Sequence, residues 1–189
     1  MWTSLNKKMG VLFSIVLFIG IIVGIVFVIM LDEATKEILF LNINEYLQNF
    51  KSINSGIIHL VILASLFVLS IFLIGGPLVL FFMFYNGFSI GFIVSSLTCI
   101  FGIKGMFYGT VYALISKFVF IIFLILFSIN LFKIVKCVIE FIIYKRNNKE
   151  SFDIFIKRCI IFMGIILIND VILYFAGGKL VNLFNFLIS

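Results

Sequence analysis

Charge is scarce in this chain. Of 189 residues, 12% are Asp, Glu, Lys or Arg, and none of these falls between Leu60 and Ile103. Soluble domains carry about a quarter charged residues, so a chain that is 64% hydrophobic with mean hydropathy +1.34 is excluded from that class. Proline occurs once, as Pro77, and histidine once, as His59. One histidine and three cysteines (Cys99, Cys137, Cys159) without metal-ligand or disulfide spacing give no metal centre and no bridge framework. There is no P-loop and no H-E-x-x-H motif. Every polar stretch is shorter than the ~50 residues a small soluble domain needs. The expectation is therefore no enzyme, no cofactor and no metal.

What is present is a series of long apolar runs. Their length points to membrane-spanning helices rather than barrel strands, which would show short alternating segments. The fold class read here is all-α, a single polytopic membrane helix bundle of about five spans, at 9–31, 57–74, 78–101, 106–131 and 159–175. The first run exceeds the 7–15 residues of a signal-peptide core and reads as a retained span. Between Leu60 and Ile103 one unbroken helix would run about 66 Å, twice a bilayer, so two spans joined by a turn fit better. Gly75-Gly76-Pro77 supplies that turn, because proline cannot donate its backbone hydrogen bond and disfavours helix just before it.

Residues 32–56 form an external segment, with Asp32, Glu33, Glu37 and Glu45 against Lys36 and Lys51, and suggest one or two short amphipathic helices. Residues 132–158 form a basic segment with seven Lys or Arg against three acids, able to prolong the fourth helix or to lie on the inner leaflet. With the N-terminus cytoplasmic and the C-terminus extracytoplasmic, nine basic residues fall inside and four outside. The net charge of +6 is read as this loop asymmetry, with no nucleic acid as partner.

Three small-residue pairs at helical spacing offer close-packing or partner-docking faces: Gly20 with Gly24, Gly87 with Gly91, and Gly105 with Gly109. Gly87-Phe-Ser-Ile-Gly91 also fits the nucleophile-elbow pattern. That elbow needs a strand-to-helix turn and a following histidine, and neither is here. Lys117 and Asp170 are the charges well inside spans, and an intramembrane charge pair between them is the leading reading. The other is separate snorkelling of each charge. Asn130 and Asn169 could add interhelical hydrogen bonds. His59, alone at the start of a run, reads as an interfacial side chain.

Ile74-Gly-Gly-Pro77, an apolar run and Tyr85-Asn86-Gly87-Phe88-Ser89-Ile90-Gly91-Phe92 resemble the core of the stage II sporulation protein M family. The order of the other segments is similar to that family along most of the chain, while the motif covers about 20 residues. Broader relatives carry Pro, His, Gly and Glu in the fourth span; this chain has Tyr112-Ala-Leu-Ile-Ser-Lys117 there, so nothing is carried over from that element. The resemblance implies a non-enzymatic scaffold in the mother-cell or septal membrane of a sporulating bacterium. Its partners would be the lipid bilayer and two membrane-anchored cell-wall hydrolases, an amidase and a lytic transglycosylase, during forespore engulfment. Homo-oligomerisation stays open. The rival reading is a small transporter or channel subunit using Lys117 and Asp170.

Overall fold

A computed structural model describes residues 4–48, 54–72, 74–145 and 149–188, and every element among them is helical. The helices are α1 (Ser4–Ile29), α2 (Glu33–Gln48), α3 (Asn54–Ile71), α4 (Gly75–Tyr144) and α5 (Lys149–Ile188). With a single proline, the chain breaks helix at few points, each with a local cause. Asp32 caps α2: its carboxylate accepts from Thr35, three residues on. Pro77 lies in the first turn of α4, where no helical N–H is required of it. Lys145 ends α4 in the left-handed conformation, its N–H returning to the Glu140 carbonyl.

α4 is not one rod. Gly102 interrupts it at φ 61°, ψ −141°. A Cβ on Gly105 would land on the Leu97 carbonyl oxygen, and one on Gly109 would lie 3.0 Å from Val94 Cα. In a straight helix, residues eight and fifteen apart stand about 12 and 22 Å apart. The halves, α4a (75–101) and α4b (103–144), therefore fold back as an antiparallel hairpin.

Contacts fix the rest. Leu17 meets Gly87 and Ile21 meets Gly91, so α1 runs parallel to α4a. Lys133 stands 5.1 Å from the Phe155 ring and Phe123 lies 6.2 Å from Phe162, so α5 runs antiparallel to α4b. Phe132 touches Phe13 at 5.4 Å and its ring lies 3.5 Å from the Cβ position of Gly76. One end of the bundle thus gathers the first half of α1, the start of α4a, the later part of α4b and the early part of α5. The Gly102 bend lies at the other end.

Phe13, Leu63, Met83, Phe120, Leu124, Phe127 and Ile166 fill the interior, drawn from four helices. The outward faces are equally apolar: Phe18 is 62% and Phe81 66% exposed. α1 and α4 are long and apolar enough to cross a membrane, while the apolar stretch of α3, Ile58–Ile71, is shorter. The external segment forms one helix over Glu33–Gln48, the smaller of the two numbers expected, and α5 continues beyond the expected fifth span, helical to Ile188 through Gly177 and Gly178.

Candidate functional site

The glycines that the sequence singled out mostly lie on two contacts. A Cβ on Gly20 would strike the Phe84 carbonyl oxygen, and one on Gly24 the Phe88 carbonyl oxygen. In return, Cβ atoms on Gly87 and Gly91 would strike the carbonyl oxygens of Leu17 and Ile21. Each glycine therefore aims a Cα–H at a carbonyl of the facing helix, a weak bond worth about 0.5–1 kcal/mol. Four such contacts, made reciprocally, lock α1 against α4a. The flat face of Gly87 and Gly91 is filled by the chain's own α1. Gly105 and Gly109 do the same work inside the α4 hairpin.

Around the first turn, Gly75 is pressed against Ser70, which leaves no room for a side chain, and Gly76 faces the Phe132 ring. Pro77 is exposed. Asn86 is 3% exposed and donates Nδ2 to the Phe82 carbonyl of its own helix at 2.9 Å. Ser70, Ser95 and Ser128 bond back to i−4 carbonyls in the same way. This habit satisfies a buried hydroxyl without a partner helix. Asn130 behaves likewise, donating Nδ2 to Leu126 O at 2.7 Å rather than across helices. Among the described residues, Asn130 Oδ1, Asn169 Nδ2 and Ser96 Oγ are buried without a hydrogen-bond partner.

Among the described residues, an acid and basic side chains from three helices meet between α3, α4b and α5. His59 on α3 places Nδ1 3.1 Å from Asp170 Oδ2 on α5. Its ring lies 4.8 Å from Phe120 on α4b, and Lys117 Nζ stands 5.5 Å from the centre of that same ring. The carboxylate of Asp170 is within electrostatic reach of Lys117, but no ion pair within 4.0 Å joins Lys117 to an acid among the described residues. Asp170 is only 10% exposed at its side chain and His59 21%.

So the structure brings Lys117 and Asp170 into one neighbourhood and gives Asp170 a direct partner in His59. In the sequence His59 stands alone, because its partner lies 111 residues away. The one signal available was its place at the head of an apolar run with a lone carboxylate elsewhere in the apolar sequence. Chemically, the set can hold one negative charge between two potential positive ones. It can bind or release a proton, and it ties three helices together.

No family model, curated protein or solved structure matches the chain.

Proposed function

We propose that the chain is a multi-pass membrane scaffold for cell-wall hydrolases during forespore engulfment, with the N-terminus cytoplasmic and the C-terminus extracytoplasmic. The observation that carries this reading is the α1–α4a lock. The segment that resembles the stage II sporulation protein M family, 74–92, and the glycine pair of the first span form one close-packed unit. The glycines of the motif thus have a structural task, to build a rigid platform, and the task involves no reacting group.

The outward apolar faces support placement in a bilayer, since contiguous exposed apolar surface of this extent is otherwise a liability in water. The α4 hairpin is long enough to cross twice, and α1, α3 and α5 supply the remaining spans. Lys7, Lys8, Lys133, Lys136, Lys157 and Arg158 lie towards the end that holds the start of α4a, and the acidic start of α2 follows the opposite end of α1. That distribution suits a cytoplasmic basic end. The hydrolases would meet the apolar faces through their anchors and the acidic α2 through their outer domains.

Affinity capture of tagged protein from sporulating cells in mild detergent tests this. Recovery of an amidase and a lytic transglycosylase is expected, reduced by Phe81→Ala with Tyr85→Ala, whose side chains are 66% and 56% exposed on α4a. A well-expressed, folded protein that recovers neither enzyme removes the reading. A second reading, a transporter or channel subunit, is favoured by the gathering of His59, Lys117 and Asp170 on three helices, because ionisable groups inside a membrane often mark ion paths. Ion flux in proteoliposomes, lost on Lys117→Met or Asp170→Asn, would move the assignment there.

A further inference from the structure

The carboxylate of Asp170 has two candidates for its counter-ion, and they come from different helices. The imidazole of His59 holds it at 3.1 Å. The Lys117 ammonium, on a four-carbon stem, stands over Phe120 and feels the carboxylate from farther off. Along the helices, His59 to Ile71 and Phe120 to Phe132 are equal runs of about 18 Å, so the set sits well above the end marked by Phe132 and Gly76. On the topology above, that places it in the outer half of the bilayer.

We infer that this is a proton-binding site that exchanges the counter-ion of Asp170. With His59 neutral, Nδ1–H donates to Oδ2, and Lys117 is the one full positive charge near the carboxylate. Together they sum to zero, the cheapest state in apolar surroundings. A proton taken from water at Nε2 turns His59 into an imidazolium already seated on the carboxylate. Two cations then compete for one anion, and the set carries a net positive charge. Lys117 is the cation that can leave, because its flexible stem lets the ammonium reach an interface while its methylenes stay among apolar side chains. The imidazole cannot follow, because its ring is packed against Phe120 at 4.8 Å.

The groups that bear on His59 are few. α4 presents Lys117 and α5 presents Asp170, while His59 is the ionisable group of α3 itself. The charged residues nearest along those helices are Lys104 on α4b, about 20 Å of helix from Lys117, and Lys179 and Arg158 on α5, about 14 and 18 Å of helix from Asp170. The inference stands on the bundle itself and holds whether the chain is a scaffold or a transporter.

The test is acylation by sulfo-NHS-acetate of the full chain in lipid nanodiscs, with the modification of Lys117 read by mass spectrometry relative to exposed Lys104. The ratio removes the intrinsic effect of pH on amine reactivity. From about pH 8 to about pH 5, the ratio is expected to rise several-fold in the wild type, as Lys117 is released. In His59→Gln, which has no proton to take up there, the ratio should stay flat. In Asp170→Asn it should be high at both pH values. A flat wild-type ratio overturns the inference whatever the variants do, as does an equal rise in His59→Gln.

Discussion

Gly87 and Leu17 approach so closely that the α-hydrogen of the glycine points at the leucine carbonyl oxygen, and Gly91 repeats the contact one turn later on Ile21. The facing atoms are backbone, which cannot swing aside. Alanine at Gly20, Gly24, Gly87 or Gly91 should therefore destabilise the bundle by about 1–3 kcal/mol, the usual cost of overpacking. Gly164, in α5, has nothing within 4 Å of its Cβ position. Gly164→Ala should be neutral or stabilising by up to about 1 kcal/mol from helix propensity. Denaturant titration in mixed micelles checks both, and equal effects at Gly91 and Gly164 would refute the lock.

Gly102 separates conformation from space. Nothing lies within 4 Å of its Cβ position, yet its φ of 61° with ψ of −141° is a region that side chains avoid. Gly102→Ala should cost about 1–3 kcal/mol through backbone strain alone. The α4 hairpin should also splay, which a Val94→Cys, Gly109→Cys pair would report, since a Cβ at position 109 lies 3.0 Å from Val94 Cα. Crosslinking efficiency should fall when Gly102→Ala is added to the pair. Unchanged stability and crosslinking would mean that the bend does not depend on this residue.

The parts of the fold that were legible in the sequence are those with local causes. The reversal into α4 falls just before Gly75, so Gly75, Gly76 and Pro77 open the helix rather than form the turn expected of them, whereas Gly102 bends the chain through its own positive φ and the hydropathy of 9–31 announces a long helix. Pairings at a distance are a different matter. Gly20 with Gly24 and Gly87 with Gly91 could each be seen as a flat face, but nothing in either stretch says that it meets the other. His59 and Asp170 are 111 residues apart, and a single histidine has no spacing to read. That α5 continues past the expected span has an energetic reason. Two glycines cost about 1 kcal/mol each in a helix, too little to stop one of 40 residues.

His59 and Asp170 should be coupled, and a double-mutant cycle with His59→Gln and Asp170→Asn measures it. Coupling of about 0.5–1.5 kcal/mol is expected for a polar contact between helices in apolar surroundings. Asp170→Asn alone should be the costlier single change, because it leaves Lys117 without an anion nearby. Adding Lys117→Met to Asp170→Asn should recover part of the loss. A coupling of zero would mean that the 3.1 Å contact is incidental to stability.

Asp32 gives a pH dependence whose sign can be worked out. Hydrogen bonds from Thr35, the side-chain hydroxyl first, hold its carboxyl below the usual range. The folded value is lower than the roughly 3.9 of a free aspartate, so the cap contributes fully above that value and is lost as pH falls through the folded one. The carboxylate is solvent-exposed and the effect is local to the first turn of α2. Hydrogen exchange at the amides of Thr35 and Lys36, compared with Asp32→Ala at the same pH, isolates it from intrinsic exchange chemistry. Protection should exceed that of the variant near neutral pH, and the two should converge once the carboxyl is protonated. If protection is the same in both proteins near neutral pH, the cap is dispensable to the first turn of α2.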